Sequence, residues 1–380
     1  MAAYSFPTAP GEQFADFLRR SEQIKDERLA AAIPREYFTP TLWRGLLGFA
    51  VSWALYLGAI VAMAYCPYWP VDVLLLVVAG LGGWGLHCIG HDCGHGSFSR
   101  SRRINTVIGQ LSLLPLLYPF HAWRHVHNLH HSHTNNLELD TDWKPMPADL
   151  YERMPWWSRL LYKGIRTWGF WGGTINYWRV SAFRPSFFPK REMRRDVRRS
   201  IWAVLACSAV YLPALGYLTG LRGLLLYFLL PWIFTHAWFS VTTLMHHSAS
   251  DVPYLTSEHW TKNAGRLLLT TDYRYPRWLL YLTHNISVHT AHHVAPPVPF
   301  YHLPKAQEAL KQAYPGMIRE REISLNHLWC IVRRLHFYDT TSGYYTDFTR
   351  VPVTPGTEDH GGTSATGEGE RRPERLRAAP

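Results

Sequence analysis

Along the chain the apolar positions gather into a few long blocks, set apart by polar, basic and histidine-rich stretches. The first block covers 46–66 and the second 71–87, with only the breaker Pro67-Tyr-Trp-Pro70 between them. A second pair covers 201–218 and 224–245, joined by Thr219-Gly-Leu-Arg222. A helix of about 20 residues crosses a ~30 Å hydrocarbon core, so these blocks predict two helical hairpins and four spans. A weaker apolar stretch, 104–120, is interrupted by Pro115 and Pro119. It predicts a re-entrant or interfacial segment, because the chain must return to the side it left. Residues 1–43 are polar, with a short amphipathic helix expected around 12–20. Residues 353–380 hold almost no large apolar side chains and read as a disordered tail. The expected fold is an all-α integral membrane protein. Its domain, 44–352, comprises a four-span bundle and a helical cap drawn from 88–200 and 246–352.

Charge orients this arrangement. The net charge is +11. In a soluble protein that would direct attention to nucleic acid, but here the basic residues sit beside the apolar blocks. Arg184, Lys190, Arg191, Arg194, Arg195, Arg198 and Arg199 precede the third block. The turn at 67–70 carries no Lys or Arg, and 219–222 carries only Arg222. Lys and Arg favour the cytoplasmic side, so both termini and the cap are expected there, with the bilayer rather than nucleic acid as partner. Hydrophobic residues make up 47% of the chain, yet mean hydropathy is −0.15. That balance fits a few spans under a sizeable cap better than a many-span transporter. The five cysteines form no CxxC pair and read as reduced. No secretory signal or fused heme segment is visible, which favours a bacterial plasma membrane over the endoplasmic reticulum.

The chemistry lies in the histidines, 21 in all. His91-Asp-Cys-Gly-His95 has the spacing i, i+4. His127-Asn-Leu-His130-His131 and His289-Thr-Ala-His292-His293 have the spacing i, i+3, i+4. On a helix each word places its imidazoles on one face. Eight imidazoles exceed the needs of one ion and suit two metals with about four each. Imidazole serves Fe, Zn, Cu and Ni alike, so ligand type does not choose among them. Such ligands usually pass their second ring N–H to an acceptor; Asp92, Glu138, Asp140, Asp142 and Asn285 are the candidates. His87, His121, His125, His133, His284 and His302 read as packed or hydrogen-bonded side chains, and His236 lies within the last apolar block.

Three longer stretches carry a resemblance: Gly90-His-Asp-Cys-Gly-His-Gly-Ser-Phe-Ser99, Trp123-Arg-His-Val-His-Asn-Leu-His-His-Ser-His-Thr-Asn135 and His284-Asn-Ile-Ser-Val-His-Thr-Ala-His-His293. They resemble the three histidine boxes of the membrane fatty acid desaturases. Ile33-Pro-Arg-Glu-Tyr-Phe38 and Pro299-Phe-Tyr-His-Leu303 resemble the delta-12/omega-3 branch. The resemblance implies two iron ions held by His91, His95, His127, His130, His131, His289, His292 and His293. A further ligand would follow the last span, with His246 the best match and His247 its competitor. In stearoyl-CoA-type members an Asn four residues earlier holds an iron-bound water; Thr242 stands there. The implied reaction uses O₂ and external electrons to place a cis double bond in an acyl chain carried on lipid, CoA or carrier protein. The electrons would come from a separate ferredoxin or cytochrome b5. An acyl tunnel is expected near Leu86 and Trp238. A hydroxylase, acetylenase or carotenoid ketolase would share the boxes. A metal transporter would need ligands along its spans, and a zinc hydrolase would need no reductant.

Overall fold

The computed structural model describes residues 10–339 and 343–353; the predicted tail, apart from its first residue, lies outside them. Helix α1 (Pro10–Ile24) is the expected amphipathic lead-in and buries Phe17 and Ile24. The first hairpin follows as α2 (Leu42–Tyr65) and α3 (Trp69–His95). Pro70 falls in the first turn of α3, where a missing N–H costs nothing. The helix continues eight residues past the predicted span and carries His91 and His95 on its last turns. Gly96 ends it at φ 76°, its N–H meeting the carbonyls of Asp92 and Cys93. A left-handed residue of this kind closes a helix most cheaply as glycine.

Helix α3 is the central post. A Cβ placed on Gly82 would lie 2.6 Å from the backbone N of Tyr56 on α2, and one on Gly83 would lie 2.2 Å from Thr235 Oγ1 across the bundle. Small residues permit this approach where apolar surroundings offer no further drive to associate. Gly82→Ala is expected to destabilise the protein by about 1–3 kcal/mol, because backbone rather than a mobile side chain occupies the space. Gly58→Ala, which meets nothing within 4 Å, is the control. Thermal unfolding in detergent would compare them, and equal midpoints would refute the close-packing argument.

The second hairpin hides in one unbroken helical stretch, Arg191–His247, of 57 residues. At 1.5 Å per residue it would extend about 86 Å if straight, far beyond a bilayer core. It does not stay straight. Gly220 breaks it at φ 64°, ψ −165°, and the Tyr211 hydroxyl lies 3.5 Å from the carbonyl of Tyr227, sixteen residues later. The chain therefore doubles back between α6 (Arg191–Leu224) and α7 (Leu230–His247, entered through a π turn at Leu225–Leu229). Leu42–Tyr65, Trp69–His95 and Arg191–His247 are each long and apolar enough to cross a membrane. Val61, Val210 and Leu218 project from them at 55, 72 and 76% exposure, an apolar surface that water does not cover favourably.

The weaker apolar stretch becomes α4 (Arg102–Ser112), a short 3₁₀ turn at Leu114–Leu116, and α5 (Phe120–Ser132). Trp232 Nε1 donates to the Leu116 carbonyl (2.8 Å). Trp232 lies fifteen residues before His247 on α7, about 22 Å along the axis, so the loop dips well down the bundle before α5 climbs back. The cap departs from the all-helical expectation. Asp272–Arg274 pairs in parallel with Glu320–Glu322, and Phe337–Asp339 antiparallel with Tyr344–Thr346. The first pair joins segments 48 residues apart in register, and such distant pairing leaves no local pattern to read.

All four long helices bring one end to the same place. Phe98 covers Gly45 near the start of α2, α3 ends at His95, and α7 ends at His247. Near the start of α6, Ser200 accepts the His121 N–H (3.1 Å). The third word forms its own short helix, α8 (His289–Val294), at that end.

Candidate metal centre

The three words converge as two groups of ring nitrogens. His91 and His95 of α3, His127 and His131 of α5, and His292 of α8 place one nitrogen each within 4.8 Å of all the others. His130, His247 and His293 form a second such group. His289 joins it, its Nε2 lying 2.9 Å from that of His247 and 3.0 Å from that of His293. The register of α5 explains the division. His127 and His131, four apart, share one group, while His130, rotated by about 100° from His131, turns to the other.

The donor set fits metal ions better than protons. Burial, and then the neighbouring histidines, holds His127, His131, His289, His292 and His293 well below the usual imidazole pKa. Such a setting favours the neutral imidazole, the form that offers a lone pair to a metal ion. Nitrogens about 2.1 Å from one centre and at right angles are about 3.0 Å apart. His131 stands 2.9 Å from His127 and 3.0 Å from His292, Nε2 to Nε2. His91 Nε2 and His95 Nε2 are buried without a hydrogen-bond partner. A shared ion would satisfy them, whereas imidazole pairing leaves them orphaned.

The outer ring nitrogens are held from behind. His130 Nδ1 meets Asp140 Oδ1 at 2.7 Å. Burial acts to lower the His130 pKa, but the carboxylate overcomes it and the net shift is upward. Thr134 donates its hydroxyl proton to the His130 carbonyl (3.0 Å), so its oxygen accepts the His293 Nδ1–H (3.2 Å). That fixes the tautomer which turns the Nε2 lone pair inward. Asp272 takes the backbone N–H of His289 and of Thr290 and clamps the start of α8. Asn135, at φ 56°, donates to the carbonyls of His247 and Pro253 and straps α5 to the end of α7.

Of the expected acceptors, Asp140 is in place and Asp92 lies 3.8 Å from His91 Nδ1. Glu138 instead accepts from Ser257, and Asn285 donates to the Phe300 carbonyl. Thr134, Asn135 and Asp272 escaped the sequence reading. The first two stand in the quoted second box, where Ser-His-Thr-Asn trails the word. Asp272 is brought in only by tertiary folding. The pair Leu244-Met-His246-His247 also separates here. His247 Nε2 stands among His130 and His289. His246, the sequence choice, turns its Nδ1 to the Thr271 carbonyl (2.6 Å) and lays its ring on His289, centroids 4.2 Å apart. His246 Nε2 is itself buried without a partner, but the ring nitrogens that gather within 4.8 Å of one another are those of His130, His247 and His293. The residue four before His247 is Thr243, not Thr242.

A cavity of about 270 Å³ lies against both groups, reaching His127 and His130. Trp123, Ile165, Tyr177 and Phe239 supply its apolar walls; Phe239 neighbours Trp238, whereas Leu86 is not in the lining. Leu86 packs with Tyr56 and Ala59 between α2 and α3. Trp143 closes one side, its Nε1 donating to Thr243 Oγ1 (2.8 Å). Its φ of 39° is an unusual conformation for a bulky residue, of a kind that clusters at active sites.

A bundle of long apolar helices with two histidine groups at one end and a lined cavity beside them defines a membrane-type enzyme of the histidine-cluster class. The sequence profile described as fatty acid desaturase matches residues 67–321. The sn-1 oleoyl-lipid 12-desaturase of Synechocystis sp. is 31% identical over 340 residues, covering 90% of this chain and 94% of the relative. The chloroplastic omega-6 fatty acid desaturases of Spinacia oleracea and Arabidopsis thaliana are 31% and 30% identical. They cover 85% and 87% of this chain, and 72% and 73% of their own lengths. The chain belongs to the fatty acid desaturase family, and it is an enzyme that desaturates acyl chains.

Proposed function

We propose that this protein is an acyl-lipid desaturase that uses two irons to place a cis double bond at carbon 12 of an oleoyl chain on a membrane glycerolipid. The observation that carries the metal reading is the split of nine histidines into five and four. His91, His95, His127, His131 and His292 would hold one iron, and His130, His247, His289 and His293 the other. The position of the double bond rests on the relatives, whose names give oleoyl-lipid 12- and omega-6 desaturases. Iron and O₂, with two electrons from a separate ferredoxin or cytochrome b5, would supply the oxidising power that side chains lack.

The protein's own residues do the positioning. Asp140 and Thr134 hold His130 and His293 in the tautomers that face inward. Trp123 and Phe239 exclude water from the stretch of chain nearest the histidines, and Trp143 sets its width. The reading includes a four-span bundle, with the fold-back at Gly220 supplying the third and fourth spans. The cap and both termini would face the cytoplasm on the Arg184–Arg199 side, where an acidic donor can dock. Cyanobacterial and chloroplast relatives favour a bacterial-type membrane. The domain would run 44–352, and the tail would be disordered.

Expression in cells that contain oleoyl lipids, with a compatible ferredoxin, is expected to yield a diunsaturated C18 acid with its new bond at carbon 12. An oxygenated or acetylenic product would move the reaction to a sister class. Channel width is open to test as well. A Cβ on Gly173 would stand 2.2 Å from Trp143 Cη2, so Gly173→Leu is expected to push the indole into the cavity. Product should fall at least ~10-fold while bound iron is retained. Unchanged product would remove the acyl chain from this cavity.

A further inference from the structure

A second cavity, of about 850 Å³, opens beside His95 on another face of α5. Trp123, His127 and His130 line the first cavity, whereas His121 and Arg124 line this one, so the helix stands between them. Its two long walls change character in the same direction. Along α6 the lining runs Asp196, Arg199 and Ser200, then Ala203 and Cys207; along α4 it runs Arg102, Asn105 and Thr106, then Val107, Gln110 and Leu111, with Leu114 one turn further. The polar ends lie together. Arg199 Nη1 is 3.7 Å from Asp196 Oδ1, and half-buried Arg124 feels both Asp196 and Arg102. Arg195 Nε also lies 3.8 Å from Asp196 Oδ1, so this one carboxylate faces Arg195, Arg199 and Arg124, and Arg102 adds a further positive charge beside Arg124. Hydrogen-bonding capacity is unspent there too. Asn105 Oδ1 and His121 Nδ1 are buried without partners, in residues 7% and 9% exposed. At the apolar end Leu114 and Cys207 also line a third cavity, of about 290 Å³, walled by Trp53, Tyr56, Tyr211 and Phe228 amid the long apolar helices.

We propose that these adjoining cavities bind one anionic phospholipid at a site separate from the acyl channel, its phosphate among Arg102, Arg124 and Arg199 and one tail passing Leu114 and Cys207 to Tyr211. Guanidinium in excess of carboxylate at the mouth of a cavity, with half-buried Arg124 among it, favours an anion, and phosphate matches the guanidinium fork. A soluble phosphate would fill the polar end and leave the apolar arm empty. A bilayer lipid fits both, and both walls run from charged to apolar in the order a lipid does. This lipid would lean on the helix that carries His95 without presenting the carbon that reacts.

The iron-loaded full-length protein in mild detergent, mixed with equimolar dioleoyl-phosphatidylglycerol and dioleoyl-phosphatidylcholine, tests this by native mass spectrometry. The protein is expected to retain one phosphatidylglycerol with at least ~10-fold preference. Arg102→Ala/Arg199→Ala should lose that retention at unchanged iron content, since both side chains are exposed. Cys207→Trp, which fills the apolar arm from an exposed position, should lose it as well. Millimolar glycerol 3-phosphate should not displace the lipid. Equal retention of the two lipids, or retention that survives either variant, would overturn the proposal. Displacement by glycerol 3-phosphate would reduce the site to a soluble-phosphate site and overturn it equally.

Discussion

His247→Ala is expected to lower bound iron by roughly half and desaturation by more than ~100-fold, because it removes one of four nitrogens from the second group. His246→Ala should keep both irons and at least a tenth of the activity, a loss in line with one missing hydrogen bond and some packing. The contrast tests the arrangement sharply, since the two residues are adjacent, both buried and chemically identical. His247 Nε2 is 3.1 Å from His130 Nε2 and 2.9 Å from His289 Nε2. The nearest bonded neighbour of His246 is a backbone carbonyl. Iron per chain and acid profile would be measured on both variants, with thermal midpoints to confirm folding. If His246→Ala proved the more damaging in iron content, the assignment to His247 would be wrong.

That choice marks the limit of what the sequence discloses. The three words were legible because their chemistry is local: i, i+3, i+4 spacing fixes a face, whatever the fold. The long apolar helices were legible because an apolar block of twenty residues has few other uses. The break at Gly220 fell within the expected turn, since a glycine at positive φ interrupts a helix at little cost. His246 against His247 was not legible, because it depends on how α7 is rotated about its own axis. Packing against Gly83 of α3 and the strap from Asn135 set that rotation, and both act across long sequence separations. The walls of the proposed acyl channel were legible only in part: Phe239, beside Trp238, lines that cavity, while Leu86 does not. Leu86 and Trp238 lie on the expected spans, but their faces turn to α2 and to the Val77 carbonyl. Asp272 had no local signature; it reaches α8 through a parallel strand pairing.

Asp140 is the residue beyond the histidines with the largest expected effect. It is 3% exposed, and its two oxygens collect four donors. Oδ1 takes His130 Nδ1 (2.7 Å), the Thr141 N–H (2.6 Å) and the Asp142 N–H (3.1 Å); Oδ2 takes the Asn135 N–H (2.6 Å). Asp140→Asn keeps the shape and one carbonyl oxygen, but its amide NH₂ must face a donor whichever way it is turned. Facing Asn135 is the lesser conflict, at a cost of about 1–3 kcal/mol. The His130 bond then survives without the negative charge that raises the ring's basicity. Iron affinity is expected to drop by about 10–100-fold, with desaturation falling in step at limiting iron and recovering in part at high iron. The same substitution loosens the Asn135 strap on His247, so the second group should lose its metal before the first. Titrating iron into metal-free Asp140→Asn should therefore give one site close to wild type and one weakened. Two sites weakened equally would mean that Asp140 supports the cap as a whole rather than the His130 group.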